Sequence, residues 1–301
     1  MLEQINTKIK NVSIKLFPYT NVVGTARSIL ALGTLLTLVV NPISTLFHKT
    51  FDGKIINPML NPMIPLNKYN FFVLFGFENI IYMKWLAIIV LSITISGYFI
   101  KLTSILHWWI CVSFLYFSSI IDGGDQIAAI ISFFLIPLCL TDPRKNHWTI
   151  TEPFESQKNI IGIFSIWIIR LQVAIIYYHA SLGKFAVEEW SNGTALYYWL
   201  NHSVFGMPTY ISMLMNRLLS NYLLMTVLTY SVIILEILIF LGLTASIRYR
   251  KILLYFAIPF HLLIIYFHGI FSFFFSITAG LIIFLYPTYQ SLNLKPWFQK
   301  K

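Results

Sequence analysis

Residues 160–183 read IIGIFSIWIIRLQVAIIYYHASLG, 24 residues with one charge, Arg170. That exceeds the roughly 20 apolar residues needed to cross about 30 Å of hydrocarbon. Seven further apolar runs flank it, at 23–42, 80–100, 105–121, 126–141, 222–243, 252–268 and 270–287. The third and fourth runs are separated only by Asp122-Gly123-Gly124-Asp125, a turn signal. His268-Gly269 parts the last two, which form either a tight hairpin or one broken helix. The sequence therefore predicts an all-α, polytopic transmembrane helix bundle of about eight spans, with seven as the alternative.

Composition agrees. Hydrophobic residues make up 57% of the 301 residues, charged residues 11%, and the mean hydropathy is +0.74. A soluble domain carries about 25% charged residues to keep its surface wet. These figures exclude a disordered chain, a disulfide scaffold and a nucleic-acid-binding domain built on a basic face.

The net charge of +10 reads mainly as orientation. With the N-terminus cytoplasmic, the inner segments hold thirteen cations: Lys8, Lys10, Lys15, Lys101, Arg144, Lys145, Lys158, Arg248, Arg250, Lys251, Lys295, Lys300 and Lys301. The outer segments hold six: Lys49, Lys54, Lys68, Lys84, Lys184 and Arg217. Basic residues collect in cytoplasmic loops, so both termini are expected in the cytoplasm. No cleavable signal is expected, because the first run is too long for a signal core and no A-x-A pattern follows it. Residues 1–20 form a cytoplasmic segment in which Ile5, Ile9, Ile14 and Leu16 alternate with Lys8, Lys10 and Lys15, suiting either an interfacial amphipathic helix or a solvated tail. Residues 21–290 form the transmembrane domain and 291–301 a basic cytoplasmic tail. Two long outer loops remain: 43–79, with Pro58, Pro62 and Pro65, and the aromatic-rich 184–221.

An ionisable group inside a span costs about 2.5–3.5 kcal/mol on insertion scales and needs a partner or a function. Arg27 can snorkel to headgroups or pair. Arg170 lies mid-span, and Glu236 is the acid at comparable depth, so an Arg170–Glu236 pair that fixes packing is expected. Tyr177 and Lys184 follow Arg170 by seven and fourteen positions, within about 40° on the same helix face. Gln172 and His179 form a second stripe on the opposite face, which places this helix centrally in the bundle. Lys184 is either an interfacial anchor or a base or nucleophile made usable by partial burial.

His261 and His268 share one face but, even with His179 and His202, show no metal-ligand spacing, so no metal site is expected. Cys111 and Cys139 lack C-x-x-C spacing. Neither a G-x-S-x-G elbow nor a G-x-x-x-x-G-K-[ST] phosphate loop is present.

The run from Arg170 through Lys184, Glu189, Trp190 and Gly193 resembles the span-then-loop motif of HTTM proteins, the superfamily that includes the membrane part of vitamin K-dependent gamma-carboxylases. Ala26-Arg27-Ser28, Gly124-Asp125 and His261–Phe275 (HLLIIYFHGIFSFFF) are similar to other parts of that pattern. Within it, the opening ARSILALGTLLTLVVNP and the length most resemble the SdpB family of sporulation-delaying protein biosynthesis factors.

In the carboxylases the lysine of this motif is the base that starts vitamin K chemistry on the lumenal side, and Lys184 matches it. The chain ends about 14 residues after its last span, without their large lumenal domain, so glutamate carboxylation is not expected. The resemblance instead implies maturation of an exported antimicrobial peptide in the bacterial cell membrane. The expected partners are an SdpA-like soluble protein, an SdpC-like toxin precursor and the bilayer, with no nucleic acid and no cofactor. On this reading Lys184 is base or nucleophile, and His179, His202 and His268 move protons. Trp190, Tyr177, Tyr197, Asp122 and Asp125 contact substrate. Arg27, Arg170, Gln172, Glu236 and His261 are structural polar groups. A non-catalytic export scaffold and a quinone-linked enzyme are the alternatives.

Overall fold

The computed structural model describes residues 10–47 and 69–292. Expectations resting on Ile5, Lys8, Ile9, Lys49, Lys54, Pro58, Pro62, Pro65, Lys68, Lys295, Lys300 and Lys301 lie outside the described residues. Eight helices carry the fold: α1 Asn21–Val40, α2 Ile80–Ser96, α3 Ile100–Phe117, α4 Gly123–Thr141, α5 Lys158–Lys184, α6 Tyr222–Leu241, α7 Ile247–His268 and α8 Phe271–Leu285. The described residues contain one isolated β-bridge, Tyr98–Asn146, and no strand. Seven helical segments are long and apolar enough to cross a membrane, and α8 is a shorter apolar helix. The protein is an all-α, multi-pass membrane protein.

The helix ends follow local chemistry. At α4, Asp122 accepts from the N–H groups of Gly124 and Asp125, while the Asp125 carboxylate accepts from the Asp122 N–H, forming a reciprocal capping box. Gly124 is required there because a Cβ would come within 2.4 Å of the Phe273 backbone of α8. Gly269, at φ +70°, ends α7 in the left-handed region and parts it from α8 as a tight hairpin.

The core has α8 at its centre. Packed on α1, α4, α5 and α7, it is buried from Ser276 to Leu285 apart from partly buried Ile282. A second cluster joins α1, α2 and α3 to the loop residues Phe47, Phe71 and Phe72. Lys84, counted above on the outer side, lies inside α2, and its Nζ donates to the Asn41 carbonyl at 2.7 Å, just beyond the C-terminal end of α1.

The expected Arg170–Glu236 pair does not form. Arg170 donates to the Ile283 carbonyl (3.0 Å), the Tyr286 carbonyl (3.4 Å) and the Thr288 hydroxyl (3.2 Å), and Arg250 of α7 donates to the Phe284 carbonyl. Pro287 follows α8, so its last carbonyls have no helical donors and would be buried without partners. Two guanidinium groups supply those donors where the helix dipole favours positive charge.

Beside this cap, Thr20 donates to the Thr288 carbonyl and Asn21 bonds Leu292 in both directions, so the start of α1 meets the segment that follows α8. At this same basic end Arg27 is 2% exposed. It donates to the Thr103 hydroxyl (2.6 Å), the Ile100 carbonyl (3.3 Å) and His147 Nδ1 (3.2 Å). Pairing, rather than snorkelling, therefore satisfies it. Burial, with Arg27 and Arg144 nearby, pushes the His147 pKa down to about 3. A buried Asp142–Arg144 pair at 2.7 Å completes the cluster.

Candidate functional site

Helix α5 runs 27 residues and buries one stripe: Arg170, Tyr177, Ser181 and, at its last turn, the partly buried Lys184. The expected stripe of Arg170, Tyr177 and Lys184 is therefore the inward one. The opposite stripe is not: His179 is exposed against the Tyr178 ring, and Gln172 is half-exposed. Helix α5 packs its inner face on α4, α6 and α8 and leaves the other face outside the bundle. His179 is thereby removed from the site.

Lys184 meets Glu236 of α6. Its Nζ lies 2.8 Å from Oε1, 2.7 Å from Oε2 and 3.0 Å from the Ala180 carbonyl. The Trp190 ring centroid is 4.9 Å away, a cation–π distance. An ammonium has three N–H donors, and each has an acceptor here. The group is a fully engaged cation, and its lone pair becomes available only when a proton leaves, for which the bonded carboxylate is the nearest acceptor.

Behind the pair, Tyr177 Oη is 3.2 Å from His261 Nε2, and His261 Nδ1 is 2.7 Å from the Ala257 carbonyl. A carbonyl only accepts, so Nδ1 carries the imidazole proton and Tyr177 donates to Nε2. Three helices thus contribute four ionisable groups, held as two hydrogen-bonded pairs.

A roof of short helices, Glu188–Ser191, Ala195–Leu200 and Thr209–Leu219, follows α5. It is pinned to α6 where Tyr230 donates to the Ser191 carbonyl (2.7 Å) and the Leu196 N–H donates to the Thr229 hydroxyl (3.3 Å). Trp190 forms part of the wall of a cleft of about 220 Å³, with Val187, Glu189, Ala195, Tyr198, Trp199 and His202. His202 Nδ1 accepts from the N–H groups of Val204 and Phe205, both at 3.1 Å. His268 Nδ1 bonds the Phe205 carbonyl. The Trp199 ring stacks on His202 at 6.1 Å and meets His268 edge-on at 6.4 Å, so these two expected histidines do come together.

The other expected contacts fall elsewhere. Tyr198 lines the cleft and Tyr197 does not, although both side chains are exposed. Asp122 and Asp125 are engaged in the α4 cap, and Asp122 also accepts from Ser272. Sequence reasoning missed His147, the partner of Arg27, which no spacing rule marks; Tyr198 was marked only as one of the aromatic residues of 184–221 that could roof a cavity. Among the described residues no group of three or more His, Cys, Asp or Glu side chains converges as a metal site.

Two proteins of Bacillus subtilis (strain 168) are similar to the chain over nearly its whole length. "Sporulation-delaying protein SdpB" is 35% identical over 280 residues, covering 92% of this chain and 84% of its own. "Uncharacterized protein YitO" is 33% identical over 276 residues, covering 90% of this chain and 86% of its own. No protein-family model matches, and no solved structure matches. The chain belongs to the SdpB family.

Proposed function

We propose that this member of the SdpB family matures an exported antimicrobial peptide toxin at the end of the bundle that carries Lys184. It works there with an SdpA-like soluble protein on an SdpC-like precursor. The carrying observation is the Lys184–Glu236 pair, held beneath an aromatic roof and beside a cleft. The name of the Bacillus subtilis relative, a sporulation-delaying protein, supports the biological setting. The bias of basic residues toward the other end of the bundle supports an extracytoplasmic site.

In this mechanism Lys184 passes a proton to Glu236 and acts as base or nucleophile on the bound precursor. Trp190 bounds the reacting region, while Tyr177, expected to contact substrate, is buried behind the pair and bonded to His261. His202 and His268, on either side of Trp199, move protons at the cleft. The test is purified protein in lipid, with and without the SdpA-like partner, mixed with precursor and read by mass spectrometry. Lys184→Ala should abolish the mature peptide while the variant stays in the membrane. Full maturation by that variant contradicts the catalytic role.

One observation favours a second reading, a non-catalytic scaffold that presents the precursor to a separate protease: all three Lys184 protons are engaged. A scaffold tolerates any Lys184 substitution that keeps the roof in place and fails when cleft residues change.

A further inference from the structure

The cleft beside Trp190 is lined without a lysine or arginine and with one carboxylate, Glu189. In a chain of net charge +10, residues 185–216 contain Glu188 and Glu189 and no lysine or arginine. Lys184, the nearest cation in sequence, is neutralised by Glu236. Glu189 lines the cleft, and among the described residues its carboxylate has no ion pair.

The walls add the chemistry that recognises a cation. Tyr198 and Trp199 present aromatic rings beside Trp190, whose ring already meets the Lys184 ammonium. Ring faces attract ammonium and guanidinium groups, and Trp does so most strongly. His202 contributes a donor, because its Nδ1 is occupied as an acceptor and the imidazole proton therefore sits on Nε2. Size narrows the occupant: about 220 Å³ is available, below the roughly 300–1,000 Å³ of pockets that hold a whole small molecule. The space suits one long side chain.

We infer that this cleft is a specificity subsite for a lysine or arginine side chain of the peptide substrate. The aliphatic stem packs between Trp199 and Tyr198, the charged head meets Glu189, and His202 donates to a peptide carbonyl. A residue seated there places the neighbouring backbone against Trp190, the wall shared with Lys184. The inference rests on the proposed maturation activity for its purpose, but binding can be measured without that activity.

The experiment uses the full chain in lipid nanodiscs and an N-acetylated, C-amidated pentapeptide with one central lysine, compared with its norleucine counterpart. Saturation-transfer NMR reads both affinities. The lysine peptide should bind more tightly, and Glu189→Gln should weaken it roughly fivefold, the range of an exposed ion pair supported by a ring face. The same substitution should leave the norleucine peptide unchanged, and Glu189→Asp should restore part of the loss. Equal binding of the two peptides, or a lysine peptide indifferent to Glu189→Gln, overturns the subsite. If the lysine peptide binds as expected but Lys184→Ala still matures precursor, the catalytic reading fails and the subsite stands. If Glu189→Gln matures precursor with unchanged KM while Lys184→Ala does not, the subsite fails and the catalytic reading stands.

Discussion

Arg170 and Lys184 lie fourteen residues apart on one face of α5, and both are held by hydrogen bonds, yet their partners differ in kind. Arg170 donates to the carbonyls and hydroxyl at the end of α8, groups that are fixed and carry no net charge. Lys184 donates to a carboxylate that can itself take a proton, beside a cleft. Lys84, Arg170 and Arg250 all serve backbone carbonyls at or just beyond helix C-termini. Arg144 also faces a buried carboxylate, Asp142, but in the loop after α4; Lys184 pairs with one between two spanning helices and beside a cleft, which makes it the place to look for chemistry.

The comparison breaks most visibly at Arg170. Arg170→Met removes the donors of three acceptors, and each buried acceptor left unpaired costs about 1–3 kcal/mol. Two of the three, Ile283 and Thr288, are buried, so a loss on the order of 2–6 kcal/mol is expected, read as a lowered melting temperature in detergent and reduced membrane abundance, with partial recovery in Arg170→Lys. Unchanged stability in Arg170→Met contradicts the structural role.

Next comes the other end. Lys184→Met strands Glu236, and Glu236→Gln strands Lys184, so each single variant should cost more than half of the double. A double-mutant cycle should return a coupling of about 1–3 kcal/mol. Additive effects mean the pair is weak and the contrast with Arg170 is one of degree.

The basic end also has a pH signature. The folded pKa of His147, about 3, lies below the unfolded value near 6.5, so at acidic pH the unfolded chain takes the proton first. The stabilisation is complete above roughly pH 6.5 and is lost as pH falls toward about 3, with a limiting slope of about 1.4 kcal/mol per pH unit. Thermal melts of the wild type and His147→Gln across that range should diverge at neutral pH and converge toward pH 3. Parallel curves contradict the assignment. The smallest effect is expected at Tyr177→Phe, which removes one donor to His261 and should cost about 1 kcal/mol, with maturation slowed rather than lost.

Much of this was legible in the sequence, and the failures have physical causes. Apolar runs long enough to cross a bilayer identify spans directly, and helical period correctly placed Arg170, Tyr177 and Lys184 on one face. Period alone could not say which cation meets Glu236. Helices α5 and α6 are joined by 37 residues, 185–221, so no tight turn fixes their axial register, and either cation was admissible. The shortness of α8 was the hidden fact: it creates the carbonyls that claim Arg170. Likewise, two polar stripes on one helix suggested a central position, whereas packing on one side leaves His179 exposed. Asp122 and Asp125 carried a capping signature, D-x-x-D, that was readable as such. The cleft depends on how the short helices of the roof fold over α6, contacts between residues more than thirty positions apart.

The most direct test of the central claim is a charge reversal, Lys184→Glu/Glu236→Lys, with membrane abundance and mature peptide measured in the same samples. The reversed pair keeps opposite charges facing each other while moving the amine from the α5 terminus to α6. Normal abundance with no mature peptide is the result expected of a pair whose lysine does chemistry at its own position. Normal abundance with full maturation would show that the pair serves only to hold the two helices together.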